Sequence, residues 1–178
     1  MTLKKSRIIS SIGIFLLCFL FHFIYDFIPC SLTAIFFPVN ESIWEHMKLL
    51  FSAVIMYGII DYIILQKFKI KYNNFFTSLF LSALAIIPIY LIMFLPVYYK
   101  IGENMVITIG IMAIAIILSQ VISYYILKQN DCDKINIISL ILIIVSYIIF
   151  AYLTYYPIKN ELFFDTQEEK YGLNNYNV

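Results

Sequence analysis

The sequence predicts an all-α integral membrane bundle of about five transmembrane helices, with the N-terminus in the cytoplasm and the C-terminus outside. Three observations carry this. Of 178 residues, 62% are hydrophobic and only 13% charged, against about 45–50% and about 25% in a soluble domain. The apolar residues fall in runs near the roughly 20 residues that a bilayer core requires. The basic residues are unequally divided between the polar segments joining those runs. Membrane barrels are excluded because their strands alternate and are far shorter. With a net charge of +1, there is no footprint for nucleic acid.

The first run, residues 8–28, follows Lys4, Lys5 and Arg7. It is long for a signal peptide and no A-x-A site follows, so it reads as a retained anchor helix. The second spans 47–65. The third, 75–98, carries Pro88 and Pro96. The fourth and fifth are 105–127 and 135–156. Residues 157–178 form a polar, acidic, extracytoplasmic tail rather than a domain. No internal repeat is visible, and five spans do not divide into equal halves, which argues against repeat-built transporters.

Orientation follows from charge. With the N-terminus inside, Lys4, Lys5, Arg7, Lys67, Lys69, Lys71, Lys128 and Lys134 are cytoplasmic. Only Lys48, Lys100, Lys159 and Lys170 are outside, among several acids that include Glu103. The localisation this implies is a cell membrane, multi-pass, of bacterial cytoplasmic type, with the lipid bilayer as principal partner. Trp44, Tyr98, Tyr155 and Tyr156 on one side and Tyr72, Tyr124 and Tyr125 on the other suit the two interfaces. Cys18, Cys30 and Cys132 form no CxxC pair, so neither a zinc ribbon nor a redox pair is expected.

The polar chemistry concentrates between the first two spans, in Pro38-Val39-Asn40-Glu41-Ser42-Ile43-Trp44-Glu45-His46-Met47-Lys48. Pro38 disfavours helix at Phe37. Asn40 and Ser42 are good N-caps, and Ser42 with Glu45 fits a capping box, so a helix starts near 40–42 and enters the second span. On it, Glu41, Glu45 and Lys48 share one stripe, an ordinary ion-paired face. Ser42 and His46 share a neighbouring stripe.

The first span contributes His22 and Asp26, one helical turn apart. Ionisable groups in a span cost about 2.5–3.5 kcal/mol on insertion scales and mark function by default. His22 and His46 are the chain's two histidines, and topology brings both to one side, with Asp26, Glu41 and Glu45. His22, Asp26, Glu45 and His46 are therefore candidate ligands for a divalent metal. With Glu41 they are candidate catalytic groups, and Asn40, Ser42, Trp44 and Lys48 are candidate binding residues. The same cluster suits proton exchange or a polar clamp between spans. Depth sets a condition. If the second span starts at Met47, His22 lies roughly 9 Å deeper than His46, and the two share a ligand only if that helix starts nearer Glu41. Asp61 reads either as snorkelling toward Lys67, Lys69 and Lys71 or as a buried partner of Gln120 or Ser123. Ser119, Ser123, Ser139 and Ser146 read as helix-packing residues.

The 38–48 run resembles the hallmark of a family of small bacterial multi-span membrane proteins of unknown function. The resemblance extends to His22 and Asp26, to Asp61, and to a C-terminal pattern in Pro157, Leu162, Phe163, Asp165, Tyr171 and Gly172. Thr166 stands where that pattern would have a second proline. The resemblance implies a fold and a membrane location but no activity. A looser likeness is to membrane-embedded metal hydrolases of the ceramidase type, which use three histidines where this chain has two.

These features leave three functional readings. One is a metal-dependent membrane hydrolase acting on a lipid-like or peptide substrate. The second is a non-catalytic component binding a partner or lipid headgroup through 38–48. The third, proton-coupled transport, is weaker because only Ser52 and Tyr57 lie between the outer cluster and Asp61. For the topology, a reporter fused after Val178 is expected to be extracytoplasmic and one at Asn73 cytoplasmic. A cytoplasmic C-terminus would overturn the five-span arrangement.

Overall fold

The computed structural model describes residues 1–102 and 104–173. Glu103 and the last five residues of the expected tail lie outside the described residues. Among the described residues seven helices run in chain order: α1 Leu3–His22, α2 Ile24–Phe27, α3 Ser31–Phe36, α4 Ile43–Lys67, α5 Phe75–Ile101, α6 Met105–Leu127 and α7 Asp133–Tyr155. Two short antiparallel strands, β1 Phe164–Asp165 and β2 Lys170–Tyr171, close the described chain, with Phe164 opposite Tyr171. Among them, five segments are long and apolar enough to cross a membrane: Leu3–Phe27, Ile43–Lys67, Phe75–Ile101, Met105–Leu127 and Asp133–Tyr155.

The helices begin where caps occur rather than where apolarity begins. α1 starts at Leu3, because Thr2 Oγ1 accepts from the Lys5 amide, and so includes the basic residues before Ile8. α4 starts at Ile43 rather than Met47, because Ser42 Oγ accepts from the Glu45 amide. That earlier start is the condition under which His46 and His22 can meet. α5 runs unbroken through Pro88 and Pro96, as membrane helices tolerate when neighbours cover the freed backbone groups.

α4 is the central helix, with α1 and α5 packed on it. α6 packs on α1 and α5, and α7 on α5 and α3. The core joins Ile14 and Cys18 of α1 to Leu50, Phe51 and Val54 of α4, Ile86 and Tyr90 of α5, and Ala115 and Ile116 of α6. Gly13 lets α1 approach closely, since a Cβ there would overlap the Tyr57 ring. On α7, Ile137, Ile141, Ile144 and Ile148 form an exposed stripe at helical spacing. Such a stripe on a helix long and apolar enough to cross a membrane suits a lipid surround. The fold is that of a multi-pass membrane protein.

At the end of the bundle away from the 38–48 segment, the structure decides between the readings of Asp61. Asp61 is 4% exposed and does not snorkel to the lysines. It meets Arg7 of α1, with Nη1 2.9 Å from Oδ2 and Nη2 2.9 Å from Oδ1, and accepts from Ser10 Oγ at 2.5 Å. Arg7 Nη1 reaches on to Gln120 Oε1 at 3.3 Å and Ser123 Oγ at 3.2 Å on α6. Ser123 in turn contacts Ser78 of α5 at 2.7 Å. Four spans thus converge on one buried ion pair. Removing one partner of such a pair costs about 3–5 kcal/mol, because the other charge is left uncompensated. Asp61→Asn is therefore expected to lower thermal stability in detergent by far more than the about 0–1 kcal/mol of an exposed pair. A near-wild-type melting curve would refute this.

Candidate functional site

The 38–48 segment is shaped by its own sequence. Phe37, before Pro38, is extended at φ −117°, ψ 154°. Asn40 Oδ1 accepts from the Ser42 amide at 3.0 Å, and this side-chain-closed turn feeds the Ser42 cap. Glu41 therefore precedes the helix instead of lying on its first turn. The expected Glu41–Glu45–Lys48 stripe does not exist, because the turn breaks the helical register between Glu41 and Glu45.

The two acids diverge as a result. Glu45 is 1% and Lys48 0% exposed. Lys48 Nζ lies 2.5 Å from Glu45 Oε2, 2.8 Å from the Ala34 carbonyl and 2.9 Å from Thr154 Oγ1. Thr154 donates to Glu45 Oε1 at 2.7 Å, and the Val39 amide donates to Oε2 at 3.2 Å. Three donors of the ammonium find three acceptors, so this is a saturated clamp joining α3, α4 and α7. Both Glu45 oxygens are engaged within this buried clamp, away from the triad.

Glu41 turns the other way, to α1. His22 Nε2 lies 3.3 Å from Glu41 Oε1, and His46 Nε2 lies 3.6 Å from Oε2. The imidazole centroids are 5.7 Å apart. One ligand atom from each of His22, Glu41 and His46 falls within 4.8 Å of the others, so the three form a triad at metal-binding spacing. All three are partly exposed. His46 Nδ1 is 3.0 Å from the Ser42 carbonyl. A carbonyl only accepts, so Nδ1 carries the proton and Nε2 is turned to the triad, the orientation seen when backbone fixes a metal-binding imidazole. The His22 hydrogen bond holds the Glu41 carboxyl below its ordinary pKa, against the opposing effect of burial.

The triad stands at the head of a cleft of about 540 Å³. Its walls include Cys18 and Phe19 of α1, Leu49 and Leu50 of α4, Tyr90 of α5, and Thr108, Ile109 and Met112 of α6. Gln167, in the turn between β1 and β2, closes one side.

The remaining sequence candidates take structural positions. Asp26 is exposed and outside the triad, because α1 breaks at Phe23 before reaching it. Asn40 Nδ2 donates to the Gly172 carbonyl at 3.1 Å. The Trp44 amide donates to the Leu162 carbonyl at 2.8 Å, and its ring stacks on Phe163 at 4.8 Å. Ser42 is consumed as the cap and Lys48 by the clamp. The expected polar tail packs against this segment: Phe163 is 5% and Asp165 0% exposed. Asp165 Oδ2 accepts from the Glu41 amide at 2.9 Å, so a residue of the tail positions the triad's carboxylate. Gly172, at φ +54°, has room for no side chain, since a Cβ would overlap the Thr154 carbonyl oxygen. Asp165 and Gly172 were visible in the C-terminal pattern. Thr154 carried no signal, being one hydroxyl in an apolar run.

Fold and site together define a multi-pass helical membrane protein with a His–Glu–His triad at one end of its bundle. Over residues 1–173 the chain matches a family of unknown function, DUF6512, and it belongs to that family. No curated protein and no solved structure matches it.

The clamp makes a prediction that separates it from the triad. Glu45→Gln and Lys48→Met are each expected to cost about 3–5 kcal/mol of stability, while the double substitution recovers much of the loss because no lone charge remains buried. Detergent melting of the three variants tests this. Strictly additive losses would show that the two side chains act independently.

Proposed function

We propose that the protein resides in a bacterial cytoplasmic membrane with the N-terminus inside, that the triad faces the extracytoplasmic side, and that it holds a divalent metal used for hydrolysis. The observation that supports this is the approach of two imidazole Nε2 atoms to opposite oxygens of one carboxylate, at 3.3 and 3.6 Å. Metal–ligand bonds of about 2.0–2.1 Å in tetrahedral geometry place ligand atoms roughly 3.3 Å apart. Two histidines and a glutamate are also a ligand set of catalytic zinc, with a further position left open. An ion there supplies Lewis acidity and activates water.

In this reading His22, His46 and Glu41 are the ligands, and the Ser42 carbonyl orients His46. Asp26 adds negative charge near His22, and Glu161, which with Glu41 and His46 borders a small recess, is a carboxylate placed to accept a proton. The substrate is a lipid-like or peptide amphiphile. Water oxygen bonds to the acyl carbon, the carbon–oxygen or carbon–nitrogen bond breaks, and the alcohol or amine leaves with a proton. The His22–Glu41 contact also supports a second, non-catalytic reading, in which the triad only ties α1 to the 38–48 segment of a component that binds a partner or lipid headgroup.

Metal analysis decides between them. Protein purified at neutral pH, loaded with Zn²⁺ or Mn²⁺ and desalted, is expected to retain about one ion per chain, the stoichiometry of a single three-ligand site. Glu41→Gln and His46→Ala are expected to retain almost none while remaining folded. A folded wild type that retains no metal would leave tying α1 to the 38–48 segment as the role of the triad.

A further inference from the structure

We infer that the cleft beneath the triad takes one acyl chain of a bilayer lipid, entering sideways between α1 and α6 with the lipid's polar linkage at His22, Glu41 and His46. The position of the linkage rests on the metal reading above; occupancy of the cleft does not.

Four observations carry the inference. First, among the described residues the side-chain hydrogen bonds between α1 and α6 lie at one end. Arg7 bonds Gln120 and Ser123 there, whereas at the other end the cleft lies between Cys18–Phe23 of α1 and Met105–Met112 of α6. Both helices are membrane-crossing segments, so the mouth between them opens toward the bilayer. Second, the mouth is apolar: Phe19, Phe23 and Met105 are 38%, 49% and 75% exposed. Water fills such a space poorly, and the molecules adjacent to it in a membrane are acyl chains.

Third, the imidazole and carboxylate groups of the lining are those of the triad, while Leu49, Leu50, Ile109 and Met112 give the cleft an apolar body, with Thr108, Tyr90 and Gln167 as its further polar lining. An apolar body with one polar end is the complement of an acyl chain ending in an ester or amide. Fourth, no Lys or Arg is among the lining residues. The cleft therefore offers no cation of its own to an anionic headgroup, which selects the uncharged linkage and chain as the bound parts. The volume of about 540 Å³ lies within the about 300–1,000 Å³ of small-molecule sites.

The test uses the full chain reconstituted in phosphatidylcholine vesicles containing a trace of phosphatidylcholine with a diazirine near the end of one acyl chain. After irradiation, labelled residues are located by peptide mass spectrometry. Labelling is expected to concentrate at Ile109, Met112 and Leu50, about tenfold per residue over Ile141 and Ile148 on the lipid-facing stripe of α7. Met112→Trp, which fills the cleft, is expected to reduce it about tenfold while metal content stays unchanged. Equal labelling of cleft and stripe in the wild type would overturn the proposal without reference to any variant. His46→Ala separates the two readings. Cleft labelling that persists when metal is lost supports the acyl cleft, and cleft labelling that persists in a wild type without metal supports it even as the metal reading fails. A metal-loaded wild type whose cleft is not labelled overturns the acyl cleft alone.

Discussion

At the end of the bundle that holds the triad, a lysine ammonium and a glutamate carboxylate lie almost wholly inside the protein. Unpaired, either would be intolerable in an apolar surround. Paired, Lys48 and Glu45 draw in the Thr154 hydroxyl, the Ala34 carbonyl and the Val39 amide, and every one of those contacts comes from a different part of the chain. The clamp thereby fixes the rotation of the first turn of α4 against α7. With that rotation set, His46 faces α1, and the turn closed by Asn40 delivers Glu41 to the same side. The segment divides its labour by burial. The groups on the closed side are buried and engaged with one another, while the partly exposed groups on the other side retain access.

The Arg7–Asp61 pair does the same for the opposite end. It gathers α1, α4 and α6, and through Ser123 and Ser78 also α5. α4 is held by a charged lock at each end, and α1 lies along it with Gly13 against Tyr57. α6 packs on α1 through the core, and among the described residues its side-chain hydrogen bonds to α1 lie at the Arg7 end. A cleft opens at the other end, lined by Phe19 and Phe23 of α1 and by Met105, Thr108, Ile109 and Met112 of α6.

Much of this was legible in the chain. The five spans follow from apolar run length, and the meeting of His22 with the 38–48 segment follows from topology and the scarcity of histidine. Ser42 was recognisable as a cap. What was misjudged shares one physical cause: a helical wheel presumes a single helix with a known start. Placing Glu41 and Glu45 on one stripe ignores the Asn40 turn, which separates them by side as well as by depth. Asp26 was aligned with His22 by the same presumption, and the break at Phe23 undoes it. Arg7 was legible only as a topological charge, because its burial depends on Asp61, a partner on another helix. A lone threonine such as Thr154 is unreadable until the fold places a lysine beside it.

The order in which the ribosome delivers these parts has its own consequence. His22, Glu41 and His46 emerge early, and Asp61 soon after, so the first helices can insert and pair while synthesis continues. Thr154, Asp165 and Gly172, which hold Lys48, the Glu41 amide and Asn40, emerge much later. Until then Lys48 and Glu45 lack their hydroxyl bridge, and the backbone of Glu41 lacks its anchor. A nascent chain can thus reach its membrane topology before the triad takes its final form. The triad takes its final form only when the segment around Asp165 and Gly172 folds back over it, so site assembly waits on residues far downstream in the sequence.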